Sequence, residues 1–236
     1  MRMRTICFFG TLVFAFMGSY PAQADLDIPL FREWKFDQDV SNRPPIGFSF
    51  GRTGKGALGR WIVLQQSDAP SGNNVLAQVN RDPTNSRFPL AIAVNPWLND
   101  LVLSVKCKLV SGLVSQTCGL VFRYQDENNY YIVHANALED NVSLDVVKNG
   151  KVKVLANWLG RVASDTWHEL SVRAQGYRFE VIFNKKKIIE ATNEVTPDVG
   201  MVGIGTKADS ITYFDDLTVA PFSGTMERDQ EEEENN

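Results

Sequence analysis

Trp167-His168-Glu169-Leu170-Ser171-Val172, followed after a Gly176 turn by Phe179-Glu180-Val181-Ile182-Phe183, is the stretch that decides the fold. Apolar and polar residues alternate in both halves, and alternation with a period of two is the signature of half-buried β-strands. Working outward, the same pattern marks strands over 101–105, 119–124, 130–136, 141–147, 152–155, 168–174, 178–184, 187–192, 202–207 and 213–219, separated by Gly, Asn and Asp turns. The part before them, 34–96, is broken by Pro44-Pro45, Gly51, Gly54, Gly56, Gly59, Pro70, Gly72, Pro83 and Pro89, and 61–65 and 76–79 are its best strand candidates. Helical periodicity is almost absent, which excludes parallel βαβ architectures. The expected class is all-β: a two-sheet antiparallel β-sandwich of jelly-roll type.

The chain of 236 residues opens with Arg2 and Arg4, an apolar run over 6–17 and a small-x-small site at Ala22-Gln23-Ala24. This predicts an export signal over 1–24, with cleavage before Asp25 and a periplasmic or secreted product. The apolar run is roughly a dozen residues where a membrane span needs about 20. Residues 25–222 are expected to form one sandwich domain, and 223–236 an acidic disordered tail that includes Glu231-Glu232-Glu233-Glu234. Lys and Arg number 24 and Asp and Glu 28; without Arg2 and Arg4, and without the six acids and Arg228 of the tail, the body holds 21 basic and 22 acidic residues. A body this close to neutral lacks the basic face that nucleic acid or an anionic membrane requires.

Two cysteines follow the leader, and an oxidising compartment permits a bridge. A tight hairpin loop at Gly112-Leu113 would set Cys107 opposite Cys118, and directly opposed Cβ atoms, about 4.5–5.5 Å apart, suit a disulfide. A second hairpin with its loop over 125–128 would face Tyr124 with Asn129. Leu120, Phe122, Tyr124, Tyr131, Val133 and Ala135 then share the core face, while Arg123, Tyr130, His134 and Asn136 point outward with Asn141, Ser143 and Asp145 of the next strand. Such a face offers donors and acceptors for hydroxyls and an aromatic plate for a sugar ring. Lys207 and Asp209 are expected at its rim. Trp61 and Trp97 read as core, Trp167 and His168 as core and strand-edge structure, and Trp158, beside a Gly-Arg turn, as a rim residue able to stack on a sugar.

The 167–172 strand, the Gly176-x-x-Phe179-x-Val181-x-x-Asn184 strand and the closing Gly200-Met201-Val202-Gly203-Ile204 and Tyr213-Phe214-Asp215-Asp216-Leu217 resemble the concanavalin A-like lectin/glucanase superfamily. Its laminin-G-like and 3-keto-disaccharide hydrolase branches are the nearest in pattern. Gly119-Leu120-Val121-Phe122-Arg123 with Asn129-Tyr130-Tyr131 is similar to the hydrolase-like domain, although Tyr131 and Val133 stand where that domain places Glu and Gln. The Glu-x-Asp-x-x-Glu strand of retaining glucanases is missing, as are Gly-x-Ser-x-Gly and His-Glu-x-x-His. The resemblance implies carbohydrate or glycoconjugate binding on the outer face, with no cofactor. An alternative is hydrolysis or lysis of 3-keto-disaccharides or related glycosides, with His134 as general base and Arg123 stabilising an oxyanion. Another is an envelope interaction module without a small ligand. Sandwiches of this superfamily often hold calcium, for which Asp37, Asp39, Asp215 and Asp216 are the candidate ligands.

Overall fold

In a computed structural model of the protein the described residues are 31–193, 199–224 and 226. The leader and the acidic run of the tail lie outside them. Fifteen strands follow in chain order: β1 (Arg32–Trp34), β2 (Phe48–Thr53), β3 (Trp61–Gln65), β4 (Asn74–Gln78), β5 (Phe88–Ala93), β6 (Leu101–Ser111), β7 (Thr117–Asp126), β8 (Asn129–Asn136), β9 (Asn141–Lys148), β10 (Lys151–Leu159), β11 (Trp167–Gln175), β12 (Arg178–Phe183), β13 (Lys186–Thr192), β14 (Met201–Gly205) and β15 (Ile211–Pro221). No helix occurs among the described residues, and none is long and apolar enough to cross a membrane.

The strands build two antiparallel sheets. One runs β13-β12-β11-β6-β15-β4-β3, with β1 also on β15, and the other runs β10-β9-β8-β7-β14-β5-β2. The chain from 34 to 96, which reads as irregular, thus supplies strands to both sheets. Between them lies the core, in which Leu101, Leu103, Val105 and Leu109 of β6 and Leu170 and Val172 of β11 meet Leu120 and Phe122 of β7, Val133 of β8 and Leu144 of β9. β6 shows the simple case: its residues alternate buried and part-exposed along its length, so every second side chain enters the core.

Three local predictions need correction. The first concerns β7. Its pairing with β8 matches Phe122 to Tyr131 and resumes only at Asp126 opposite Asn129, four steps on β7 against two on β8. β7 therefore carries a bulge, and Arg123 sits in it with a positive φ of 49°. The alternation shifts: Arg123 turns to the core side, its guanidinium 5.3 Å from the Phe179 ring centre and 5.9 Å from that of Tyr131, and Nε donates to the Asn99 carbonyl at 2.9 Å. Tyr124 turns outward instead and packs 5.9 Å from Tyr130. Gly200 makes room for the bulge, since a Cβ there would lie 2.3 Å from the Arg123 carbonyl carbon.

The second concerns the cysteines. Cys107 and Cys118 are joined by a disulfide with Cα atoms 6.3 Å apart, but β6 and β7 belong to different sheets. No tight hairpin occurs at Gly112-Leu113. The segment 112–116 crosses between the sheets, and Asp209 holds it by accepting the backbone N–H groups of Leu113, Val114 and Ser115 at 2.7–3.1 Å. Burial pushes the Asp209 carboxyl up, but these three donors outweigh it and hold the group below its ordinary value. Asp209 is therefore a buried brace rather than a rim contact.

The third concerns the tryptophans. Trp61 is buried, but Trp97, expected in the core, is 48% exposed. Trp158, expected at the rim, packs against the core and lies 6.2 Å from Phe183 of the opposite sheet.

Candidate functional site

The outer face of the seven-stranded sheet has two parts. Leu90 and Ile92 of β5, Val121 of β7, Tyr130 and Ile132 of β8 and Val147 of β9 form a second buried apolar cluster, distinct from the core, with Tyr124 and Met201 against it. Gly119 and Gly205 face each other in this sheet, and their lack of side chains lets Ile132 and Leu90 lie across them. Tyr130 is no free aromatic plate: it is 2% exposed, its hydroxyl is 2.7 Å from Thr53 Oγ1, and burial raises its phenol well above the ordinary range.

The polar part lies at the other end of β8 and β9. Register places His134 opposite Ser143, Ile132 opposite Asp145 and Asn136 opposite Asn141. Directly opposed residues share a face, so His134, Ser143 and Asp145 come together as predicted. Asp145 is 3% exposed. One of its oxygens is 2.9 Å from His134 Nε2, and the other accepts the Ser143 hydroxyl.

A carboxylate can only accept, so Nε2 of His134 donates to Asp145, which leaves Nδ1 as the ring nitrogen that the carboxylate does not engage. That Nδ1 is buried without a hydrogen-bond partner, and so is Oδ1 of Asn141. The Asn141 amide nitrogen reaches Glu139 at 3.4 Å. Buried polar atoms are nearly always paired, and two unpartnered polar atoms on part-exposed side chains at one end of one sheet face suit hydroxyls from outside the chain, which donate and accept. Asn136 contributes less, because its Oδ1 accepts the Leu138 N–H of the β8–β9 turn at 3.0 Å. Lys207 follows β14, with Nζ 6.0 Å from the Phe88 ring centre and its backbone N–H on Thr117 Oγ1 at 2.7 Å.

Arg123 stands apart from this group, on the core side of the sheet. The pairing of His134 as base with Arg123 as oxyanion donor is therefore not assembled. Ser143 bonds the carboxylate rather than the imidazole, so no activated hydroxyl nucleophile results. Thr53, Gly119 and Gly205 are the members that sequence reasoning missed. Gly119 and Gly205 carry no side-chain chemistry to notice, and Thr53 lies in the stretch that reads as irregular.

The predicted calcium carboxylates converge loosely but are occupied. β1 does lie on β15, with Trp34 opposite Leu217. Asp37 accepts the backbone N–H groups of Asn73 and Asn74, Asp39 that of Ile46 and Asp215 that of Ser71, while Asp216 pairs with Lys106 at 2.8 Å. Among the described residues no group of three or more His, Cys, Asp or Glu is placed to hold a metal.

Residues 109–222 match the family described as galactocerebrosidase, C-terminal lectin domain. No curated protein matches the sequence. Among solved structures, the carbohydrate binding module CBM66 from Bacillus subtilis is similar over 77% of this chain and 98% of its own, at 20% identity and a TM-score of 0.57. The VIP36 exoplasmic/lumenal domain in a Ca2+/Man-bound form covers 85% of this chain and 93% of its own, at 13% identity and a TM-score of 0.55. Domain 4 of AbnA, an extracellular arabinanase from Geobacillus stearothermophilus in complex with arabinotriose, covers 80% of this chain and 90% of its own, at 13% identity and a TM-score of 0.53. The two sheets and these likenesses agree: the chain has the concanavalin A-like, galectin-like β-sandwich lectin fold.

Proposed function

We propose that the protein is an exported carbohydrate-binding module that takes a saccharide at the polar end of the outer face of the seven-stranded sheet, around His134, Asn141, Ser143 and Asp145. The observation that carries this reading is the pair of buried, unpartnered polar atoms, Nδ1 of His134 and Oδ1 of Asn141, on the sheet face that carries the His134–Asp145 pair. Sugar hydroxyls both donate and accept, so they can serve such atoms. The lectin description of the matched family and the carbohydrate-binding names among the structural relatives support it. Export rests on the leader-like residues 1–24. Calcium at the carboxylates of Asp37, Asp39, Asp215 and Asp216 is not part of the proposal, because their oxygens serve backbone amides, Ser71 and Lys106.

The experiment is a titration of neutral oligosaccharides followed by ligand-observed NMR, with turnover monitored in the same tubes. Binding without turnover, weakened in His134→Ala and in Asn141→Ala, is expected. Hydrolysis of any saccharide that disappears in His134→Ala would overturn the binding-only reading.

A further inference from the structure

A cavity of about 400 Å³ opens on the opposite side of the molecule, on the outer face of the eight-stranded sheet. Its lining residues are Pro70, Lys106, Trp167, His168, Glu169, Asn184 and Lys185. Trp167 and Glu169 lie two residues apart on β11, so both point outward, and Glu169 stands opposite Lys106 of β6. Two walls rise from this floor. One is the β3–β4 connection, which carries Pro70 and is tied to the sheet by Asp68 on Lys108 at 2.9 Å and by Ser71 on Asp215 and Asp216. The other is the β12–β13 turn, where Asn184 donates to His168 Nδ1 at 2.9 Å and accepts the Glu169 N–H at 3.0 Å.

The chemistry of the lining selects a ligand class. Trp167 and Pro70 are flat apolar surfaces. Lys106 is engaged by Asp216, whereas the Lys185 ammonium and the Glu169 carboxylate make no ion pair among the described residues. Glu169 acts on Lys106 through space without a direct ion pair, so the cavity keeps a cationic donor in Lys185 and an anionic acceptor in Glu169 beside an indole face. Its size lies at the lower end of the roughly 300–1,000 Å³ of ligand pockets.

We propose that this groove is a second binding site, on the sheet opposite to the first, for a neutral saccharide ring that stacks on Trp167 and bonds through its hydroxyls to Glu169 and Lys185. The protein then binds glycan on both faces and can bridge two chains. The site does not depend on the His134 site.

The test follows the Trp167 indole N–H resonance, assigned with Trp167→Phe, in uniformly 15N-labelled protein titrated with cellotriose, maltotriose, xylotriose and arabinotriose. A saturable shift with at least one of these sugars is expected in the wild type and in His134→Ala. The apparent Kd should rise roughly tenfold in Glu169→Ala and in Lys185→Ala, the effect of losing one charge-assisted hydrogen bond. Both substitutions are at the surface of β11 or a turn and leave the core untouched. A Trp167 resonance unmoved by every sugar, or shifts unchanged in both variants, would overturn the second site. Shifts confined to residues near His134 would do so while leaving the first site standing.

Discussion

Asp215 differs from the other shifted carboxyls among the described residues, which are lowered, in that its own is raised. It is fully buried, and burial pushes its carboxyl up to about 6 although Ser71 and Asp216 donate backbone N–H bonds to it. A carboxyl whose pKa is higher in the folded than in the unfolded chain favours the fold when protonated. That contribution is complete below about pH 4 and is lost as pH rises through about 6. Asp215→Asn removes the titration and keeps an acceptor for Ser71. The stability of the variant relative to wild type should therefore increase between about pH 4 and about pH 7, by on the order of 2–3 kcal/mol. Urea unfolding of both proteins across that range checks it, and parallel curves would show that Asp215 does not titrate there. Lys106 and Asp216, which face the same spot, are present in both proteins.

Two devices act at the scale of elements. The β7 bulge turns Arg123 onto Tyr131 and Phe179, so Arg123→Ala should behave as a core truncation. A loss of about 2–4 kcal/mol is expected in urea unfolding, with sugar affinity of the folded protein unchanged. Affinity lost without loss of stability would return Arg123 to the ligand face. The Cys107–Cys118 bridge ties β6 in one sheet to β7 in the other across a sequence separation of 11. Closing so short a loop stabilises the fold by about 3 kcal/mol on the chain-entropy view. Cys107→Ala/Cys118→Ala should lose that amount in a urea melt, and an unchanged midpoint would show that the bridge contributes nothing.

The same elements show what was legible beforehand. Strands from 101 onward were readable from apolar–polar alternation in the sequence, which in β6 and β11 is alternation between core and surface while β7, β8 and β9 are buried on both faces, and β3 spans the expected 61–65. β2 and β5 were not, because prolines and glycines interrupt their surroundings and their strand character comes from pairing with each other and with β14. The register of β8 with β9 needs only alternation and a short turn, so the grouping of His134, Ser143 and Asp145 was foreseeable. Arg123 was misplaced because a non-glycine residue with positive φ leaves no mark in a sequence. Asp209 was misplaced because its partners are backbone amides almost a hundred positions away.

At the scale of the molecule, a near-neutral body of two sheets presents two chemically different outer faces. One joins an apolar cluster to the His134–Asp145 pair, and the other holds the Trp167 groove. Neither needs a charged ligand. Oligosaccharide affinity should therefore change less than about twofold between low and high salt, since no counterions are released from a neutral partner. A steep fall with salt, read by calorimetric titration, would point to an anionic ligand instead.

The most direct measurement is the set of 15N–1H shifts of His134, Asn141, Ser143 and Asp145 during titration with neutral oligosaccharides, recorded for wild type and for His134→Ala. Saturable shifts at these residues in the wild type, with Kd raised about tenfold in His134→Ala, are expected. Saccharide binding that leaves these resonances unmoved, or no binding by any sugar tried, would contradict the assignment of the outer face as the ligand site.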